Sequence, residues 1–207
     1  MIALVDYGMG NLRSVQKALE HLGAETLITS VPTDLHAADA IVLPGVGAFG
    51  AAMHRLEESG MATALRHAIE SGKPFLGICL GLQLLFESSS ESPGVRGLGI
   101  LKGRVVGFRE TPRFALRVPH MGWSRLRLAQ PEYPLWRGVA DGASVYFVHS
   151  YYPQPADESV VTAYCEYGIR FACAVARGAL HAVQFHPEKS SEVGLQILRN
   201  FCALLTR

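Results

Sequence analysis

The chain has 207 residues, of which 49% are hydrophobic and 18% are charged, and its formal net charge is +1. A sequence with this much apolar surface to bury is not intrinsically disordered, and its length fits one large domain or two small ones. The small net charge gives no general attraction to nucleic acid or to a membrane surface, and no apolar run is long enough to span a bilayer. We therefore expect no nucleic-acid partner and no membrane association, and the absence of a basic leader segment predicts a cytoplasmic protein.

The composition also argues against a metal or a cofactor. None of the four cysteines forms a CxxC pair or lies among histidines at zinc-binding spacing. Gly8 and Gly10 follow the first apolar run, but Arg13 replaces the third glycine of a dinucleotide-binding fingerprint. We interpret Cys165 and Cys173, like Cys202, as small buried hydrophobic residues, and we predict no metal and no cofactor.

Apolar runs alternate with helical patterns in the first part of the chain. The predicted strands are short and apolar, and they cover residues 2–6, 25–28, 40–43 and 74–78. Apolar residues recur at helical spacing over residues 12–22, 48–69 with a break at Gly60, and 80–86. Continuously apolar strands that alternate with helices are typical of a parallel sheet covered on both faces.

The pattern changes after residue 88. A loop rich in serine, glycine and proline precedes β-rich segments at residues 105–106, 123–128, 145–148, 160–164, 171–175 and 179–185. These segments predict antiparallel strands added to the parallel core, and residues 191–205 predict a final amphipathic helix. Because no linker separates two domains, we expect one three-layer α/β domain over residues 1–207, with a mainly parallel central sheet and added antiparallel strands.

The most distinctive motif is Gly77-Ile78-Cys79-Leu80-Gly81, where a buried strand meets a helix. It has the form of a nucleophile elbow, in which the flanking glycines allow close backbone approach at a strained turn. A side chain at such a turn stands above the sheet beside backbone N–H groups that can stabilise an oxyanion. An inert core cysteine in a glycine-rich turn is the alternative interpretation of this motif alone.

A histidine and a carboxylate occur together in Gln184-Phe185-His186-Pro187-Glu188, after the last apolar run. Pro187 favours an extended His186, and in extended backbone positions i and i+2 point the same way, so we expect His186 and Glu188 to project together. A histidine oriented by a carboxylate is the base that a thiol nucleophile needs. A surface histidine and a helix-capping glutamate would explain each residue singly, but together with the elbow they predict a catalytic triad of Cys79, His186 and Glu188.

A third glycine-rich turn, Pro44-Gly45-Val46-Gly47, follows the buried run at residues 40–43. It ends at the same edge of a parallel sheet as the elbow, where active sites of α/β proteins lie. We predict an oxyanion hole formed by the backbone N–H of Leu80 and one from Val46 or Gly47. An ordinary strand–helix turn is the alternative.

These residues carry a family resemblance. The elbow with Gln83, followed by His186-Pro187-Glu188, resembles the class I, triad-type glutamine amidotransferases. Within that class, four further segments are similar to the glutaminase subunits of imidazole glycerol phosphate synthases, enzymes of histidine biosynthesis: residues 5–12, 43–49, 119–123 and 146–151. The resemblance extends from the first residue to the last, and it departs from the pattern at Ser124, where asparagine is expected.

The resemblance implies a role for each site residue. Cys79 would attack the side-chain amide of glutamine, His186 would transfer protons, and Glu188 would orient His186. The amino-acid head of glutamine would be held by Gln83 and by main-chain groups near the residues Gly47, Ser150 and Tyr151.

The resemblance also implies a partner. Ammonia would pass to a cyclase subunit in a heterodimer, where a phosphoribulosyl substrate would be converted to imidazole glycerol phosphate and aminoimidazole carboxamide ribotide. Asn11, Met121 and Trp123 are the candidate contacts with that partner. A basic stretch within residues 102–127 is the candidate for meeting an acidic partner surface, and its arginines are Arg104, Arg109, Arg113, Arg117, Arg125 and Arg127.

Two alternatives remain open at this point. One is another triad amidotransferase, such as a vitamin B6-type glutaminase, in which a Gly-Gly-Glu-Ser type segment stands where this chain has Pro44-Gly45-Val46-Gly47. The other is a non-catalytic binding module of the same fold, which would have lost Cys79, His186 or Glu188.

Overall fold

The structure is a computed structural model that describes residues 1–205. Thr206 and Arg207, the last residues of the predicted domain over 1–207, lie outside the described residues. The strands, in chain order, are β1 (Ile2–Val5), β2 (Thr26–Thr29), β3 (Ala40–Gly45), β4 (Phe75–Cys79), β5 (Ser88–Ser89), β6 (Gly103–Gly107), β7 (His120–Leu128), β8 (Ser144–His149), β9 (Tyr151–Pro155), β10 (Val161–Glu166), β11 (Arg170–Arg177) and β12 (Leu180–Val183). The helices are α1 (Leu12–His21), α2 (Asp34–Ala37), α3 (Phe49–Glu58), α4 (Met61–Glu70), α5 (Leu80–Gln83) and α6 (Ser191–Ala203).

Nine of these strands form one sheet in the order β2-β1-β3-β4-β12-β11-β10-β7-β8. The strands from β2 to β12 in this order are parallel, and those from β12 to β8 are antiparallel. β12 therefore joins the two halves, because it pairs in parallel with β4 and antiparallel with β11. The predicted α/β fold class, a parallel sheet with added antiparallel strands, is confirmed, although the sheet is mostly parallel only at one end and has as many antiparallel as parallel pairings.

Alternation along the parallel strands explains why they are continuously apolar. On β3, Ile41 and Leu43 pack towards α3 and α4, whereas Ala40 and Val42 pack on the other face towards α1 and α6. Successive side chains of a strand point to opposite faces, so a sheet covered on both sides needs apolar residues at every position. The result is a three-layer arrangement with a core on each face of the sheet.

Three differences from the prediction stand out, two in the second part of the chain and one at α5 in the first part. β5, β6 and β9 form a separate small sheet, whereas the segment at 105–106 was expected to join the main one. β9 was missed because it contains Pro153 and Pro155, which are tolerated here since β9 is an edge strand of that sheet. Helix α5 ends at Gln83 rather than at residue 86, because burial on all sides keeps the next residues apolar without requiring a helix.

No helix within residues 1–205 is both long enough and apolar enough to cross a membrane.

Candidate active site

Cys79 lies at the sharp turn from β4 into α5. Its backbone has φ 56° and ψ −107°, a left-handed conformation that residues other than glycine rarely adopt. The flanking glycines are required by close approach: a Cβ at Gly77 would lie 2.9 Å from the carbonyl oxygen of Gly81, and a Cβ at Gly81 would collide with the carbonyl oxygen of Leu43. The turn therefore has the geometry of an elbow that presents one side chain.

The Cys79 thiol has polar neighbours from two other elements. The Nε2 group of Gln184 donates to Sγ at 3.7 Å, and the thiol donates to the carbonyl oxygen of Val148 at 3.9 Å. Gln184 directly follows β12, and Val148 belongs to β8. The thiol is thus held between the parallel half of the sheet and its antiparallel edge.

His186 and Glu188 form a buried pair after β12. The Nδ1–H group of His186 donates to Oε1 of Glu188 at 2.7 Å, and the two side chains are only 4% and 2% exposed. The extended conformation expected for His186 is present, at φ −101° and ψ 97°. The extended geometry expected through Glu188 is wrong, because Pro187–Lys189 forms a 3₁₀ turn, and this turn is what folds the carboxylate back onto the imidazole.

Backbone contacts with β8 hold this turn in place. The N–H group of His186 donates to the carbonyl oxygen of Tyr146 at 2.9 Å. Ser190 Oγ donates to the carbonyl oxygen of His186 at 2.7 Å and accepts from the N–H of Tyr146 at 2.9 Å. β8 therefore contacts both the thiol and the histidine.

The electrostatics of the site favour a protonated His186. Burial lowers the pKa of His186, but the Cys79 sulfur and the Glu188 carboxylate outweigh burial and raise the pKa to about 9. The Nε2 atom is buried without a hydrogen bond of ordinary geometry among residues 1–205. The Cys79 sulfur is nonetheless close enough to stabilise a positive charge on the imidazole of His186. Catalytic hydrogen bonds are often long in sites without substrate, which is consistent with the missing bond to Nε2.

A cavity of about 320 Å³ opens beside the thiol. It brings together seven of the residues predicted for the site, which are Val46, Gly47, Cys79, Leu80, Gln83, Ser150 and Tyr151. Four further residues line it that were not predicted as site residues, namely Glu91, Pro119, Val148 and His149. His186 and Glu188 do not line the cavity and lie buried behind Cys79.

Gln83 and Glu91 present polar groups to this cavity. The Nε2 group of Gln83 donates to the carbonyl oxygen of Tyr151 at 2.9 Å and to Oε1 of Gln184 at 3.1 Å, and Oε1 of Gln83 has no hydrogen bond within residues 1–205. Glu91 Oε2 accepts from the N–H of Phe49 at 2.8 Å, and its other oxygen has no hydrogen bond within residues 1–205. Glu91 lies in the loop after β5, where no periodicity marks a single acidic residue as functional.

Among residues 1–205, no group of three or more histidine, cysteine, aspartate or glutamate side chains is arranged to hold a metal ion.

The residues predicted to contact a partner are exposed. Met121 and Trp123 point outward from β7 and are 60% and 54% exposed. The six arginines of the basic stretch are also exposed. Asn11 caps α1 by accepting from the N–H of Ser14 at 3.4 Å, and the glycine before it lies against the end of β3 near the elbow.

A family model described as glutamine amidotransferase class-I matches residues 3–205. A protein of Geobacillus kaustophilus (strain HTA426) named imidazole glycerol phosphate synthase subunit HisH is 51% identical over 208 residues, covering 100% of this chain and 98% of that protein. A protein of the same name from Thermosynechococcus vestitus (strain NIES-2133 / IAM M-273 / BP-1) is 53% identical over 205 residues, covering 99% of this chain and 97% of the relative.

Solved structures share the fold at lower identity. One described as a crystal structure of glutamine amidotransferase has a TM-score of 0.77 at 22% identity, covering 100% of both chains. The structure of PurLQS from Thermotoga maritima has a TM-score of 0.75 at 20% identity, covering 99% of this chain and 98% of that one. At these identities the likeness concerns the fold alone.

Proposed function

The chain belongs to the class-I glutamine amidotransferase family, and we propose that it is the glutaminase subunit of an imidazole glycerol phosphate synthase. It hydrolyses glutamine to glutamate and ammonia, and the ammonia is used by a cyclase subunit. The observation that carries the activity is the arrangement of Cys79 on its strained elbow, in front of the buried His186–Glu188 pair and at the wall of a cavity.

Cys79 is the nucleophile in this proposal. With the thiol proton resting on Nε2 of His186, the Cys79 thiolate attacks the side-chain carbonyl carbon of glutamine, and the carbonyl π electrons move to the oxygen to give a tetrahedral intermediate. Protonated His186 then gives a proton to the amide nitrogen, the C–N bond breaks, and ammonia leaves a γ-glutamyl thioester. Glu188 keeps the imidazolium oriented through the Nδ1–H hydrogen bond and stabilises its charge.

Water completes the turnover. Neutral His186 takes a proton from a water molecule as its oxygen attacks the thioester carbonyl. The C–S bond breaks, glutamate leaves, and the Cys79 sulfur and His186 return to their starting protonation states. The same histidine acts first as acid and then as base, which requires the carboxylate behind it to stay in place in both steps.

The oxyanion is stabilised by backbone donors in this proposal. The N–H of Leu80 follows the nucleophile at the start of α5, and Gly45 pairs with Cys79 in the sheet, which brings the next residues, Val46 and Gly47, to the cavity beside the sulfur. The N–H of Leu80 with that of Val46 or Gly47 forms the hole.

The amino-acid head of glutamine carries one positive and one negative group. The free carboxylate oxygen of Glu91 suits the α-ammonium, and Oε1 of Gln83 offers a second acceptor. Main-chain groups of Ser150, Tyr151 and Gly47, which also line the cavity, complete the contacts. Glutamine is thereby fixed with its side-chain amide towards Cys79.

The cyclase partner is proposed to dock against the exposed faces that carry Asn11, Met121 and Trp123. The curated relatives are named as synthase subunits, which supports assembly with a second polypeptide. The same relatives favour this function over a vitamin B6-type glutaminase, and the intact triad favours an enzyme over a binding module.

Co-purification with a candidate cyclase subunit, followed by a glutamine-hydrolysis assay, tests the proposal. We expect a one-to-one complex that releases glutamate faster than the isolated chain does and forms product in the presence of the phosphoribulosyl substrate. The Cys79→Ala chain is the control, since it should bind the cyclase and release no glutamate. Failure of the unaltered complex to hydrolyse glutamine would contradict the proposal.

A further inference from the structure

Two buried histidines that the proposed mechanism does not use lie beside the cavity. His120 on β7 and His149 on β8 are direct partners in the antiparallel pair, and both are almost fully buried. Nδ1 of His120 lies 3.0 Å from Nε2 of His149. Most buried side-chain nitrogens have a hydrogen-bond partner, so the outer nitrogen of each ring indicates where this pair is anchored.

The outer nitrogens complete a chain of hydrogen bonds. Nε2 of His120 lies 2.9 Å from Oγ of Ser124, which is four positions along β7 on the same inner face. Nδ1 of His149 lies 2.8 Å from the carbonyl oxygen of Tyr151. That carbonyl also accepts from Nε2 of Gln83 at 2.9 Å, so the chain ends on a cavity residue.

The donors and acceptors in this series of hydrogen bonds can be assigned from the Tyr151 carbonyl oxygen. A carbonyl oxygen only accepts, so Nδ1 of His149 carries the proton, and in a neutral ring its Nε2 is then an acceptor. Nδ1 of His120 must therefore donate to it, which leaves Nε2 of His120 to accept from the hydroxyl of Ser124. Every hydrogen bond points in one direction, from β7 to the Tyr151 carbonyl.

The surroundings keep both rings neutral. Phe147 and Tyr167 stack on His120 at ring-centre distances of 4.7 and 4.0 Å, and Phe108 and Phe171 lie 5.2 Å from His149. Burial in this aromatic cluster lowers the pKa of His120 to about 4 and that of His149 to about 3. At neutral pH the chain is therefore uncharged and its direction is fixed.

We propose that His120 and His149 are positioning residues for glutamine binding, which hold the Tyr151 carbonyl, and through it the Gln83 amide, at the wall of the cavity. This inference rests on the proposed glutaminase function. The bond to the Tyr151 carbonyl ties together the main chain at residues 149–151, and the same carbonyl anchors the Nε2 group of Gln83, which lines the cavity. A ring that reversed its tautomer would put an N–H group where the chain needs an acceptor.

The two conservative variants of His149 separate positioning from simple packing. In His149→Asn, the amide nitrogen replaces Nδ1 and still donates to the Tyr151 carbonyl. In His149→Gln, the amide reaches the Nε2 side and accepts from His120, but the donor to Tyr151 is lost. Both variants remove the ring, so a purely structural role would affect them alike.

Glutamine hydrolysis is measured in the complex with the cyclase subunit. We expect His149→Gln to raise KM for glutamine roughly fivefold to tenfold, the value of one hydrogen bond, with kcat changed less than about threefold. We expect His149→Asn to keep KM within about threefold of the unaltered complex. The proposal would be overturned if the two variants had equal KM values for glutamine, or if His149→Gln lowered kcat and left KM unchanged.

His181→Asn is the matched control. His181 is a buried histidine on β12 with a lowered pKa of about 4, but its ring neighbours are Tyr133 and Phe201 rather than the cavity residues. We expect this variant to lose stability and to keep KM for glutamine. A KM shift in His181→Asn equal to that of His149→Gln would show that any buried-histidine loss suffices, and would overturn the proposal.

A measurement on the unaltered protein avoids any folding defect. The ¹⁵N chemical shifts of the imidazoles at pH 7 should show both His120 and His149 protonated at Nδ1 and bare at Nε2. A charged ring, or a proton on Nε2 of either residue, would overturn the directed chain. Absence of glutamine hydrolysis in the unaltered complex would contradict the proposed function. Hydrolysis by the unaltered complex, together with the same KM for glutamine in both His149 variants, would contradict only this inference.

Discussion

Nδ1 of His186 lies 2.7 Å from Oε1 of Glu188, and the two side chains share a site that is closed to solvent. The carboxylate is one cause of the raised pKa of His186, together with the Cys79 sulfur, and both oppose the effect of burial. In a closed site such a pair acts without the screening that weakens ion pairs on the surface.

Glu188→Gln should therefore lower the pKa of His186 and reduce glutamine hydrolysis. The imidazolium is the acid that protonates the leaving nitrogen, so activity falls as His186 loses its proton with a pKa of about 9. We expect kcat/KM to fall at least about 100-fold and its alkaline limb to move to lower pH. A pH profile from 6 to 10 checks this, and an unmoved alkaline limb would show that Glu188 does not set the pKa.

The same shift makes a prediction for stability. The folded pKa of His186, about 9, is above the unfolded value of about 6.5, so the folded chain binds the proton more tightly. The stabilisation is complete below pH 6.5 and is lost as the pH rises through 9. Urea unfolding of the unaltered chain and of Glu188→Gln at pH 6.5 and pH 9.5 measures it, and the difference between the two pH values should be smaller in the variant.

Cys79→Ala should lower kcat for glutamine hydrolysis more than about 1000-fold while leaving the fold intact. Cys202→Ala is the matched control, since Cys202 lies on α6 away from the cavity and its loss should leave kcat unchanged. Residual hydrolysis at the unaltered rate in Cys79→Ala would contradict the proposed nucleophile.

Cys79→Gly should be more stable than Cys79→Ala, although both lack the sulfur. Relief of strain at a φ of 56° is worth roughly 1–3 kcal/mol, and the greater freedom of glycine in the unfolded chain costs roughly 0.4–1 kcal/mol. We expect a net gain of about 1 kcal/mol in the free energy of unfolding, measured with urea. An alanine variant that is the more stable of the two would show that the elbow is not strained.

Acidification should destabilise the fold through its buried neutral histidines. Burial lowers the pKa values of His120 and His181 to about 4 and that of His149 to about 3, below the unfolded value of about 6.5. The unfolded chain then takes up protons that the folded chain does not, so stability falls as the pH drops below 6.5. Each histidine contributes up to about 1.4 kcal/mol per pH unit. Unfolding at pH 7, 6 and 5 checks the slope, which should be flatter in His181→Asn.

Trp123→Ala should weaken binding of the cyclase subunit. Large exposed aromatic side chains are the usual anchors of interfaces, and truncation at such a residue costs about 2 kcal/mol, which is roughly 30-fold in Kd. Arg125→Glu, on the same outer face, should slow association and make it less sensitive to salt. Isothermal titration and stopped-flow association at low and high salt test both, and unchanged affinity in both variants would place the interface elsewhere. Charge reversal at Arg199 on α6, a helix that carries none of the proposed contacts, is the control.

Much of the parallel half could be predicted from the sequence, because strands buried on both faces are apolar at every position. An example is the strand predicted at residues 40–43, which is present as β3 and continues for two more residues, to Gly45. The sequence predicts the pairing of His186 with Glu188 but not the backbone conformation that produces it. An extended segment and a 3₁₀ turn can both bring the side chains at positions i and i+2 together, and the structure has the 3₁₀ turn.

The residues that escaped prediction are those whose partners are distant in sequence. Glu91 acquires its place by bonding the N–H of Phe49, 42 positions away, and nothing in its own loop marks it. His149 and His120 face each other only because β7 and β8 pair in one register, across 29 positions. Such contacts depend on tertiary structure, which local periodicity does not encode.

The position of β12 has a consequence for how the protein is made. This strand is synthesised last among the strands, yet it lies between β4 and β11 in the middle of the sheet. Without residues 180–183 the sheet has no strand to join β4 to β11, and any half-sheets formed by then would expose edges that can associate with other chains. The segment that closes this gap also delivers His186 to Cys79. Completion of the sheet therefore also places His186 beside Cys79, and we expect a chain that lacks β12 to have no glutaminase activity.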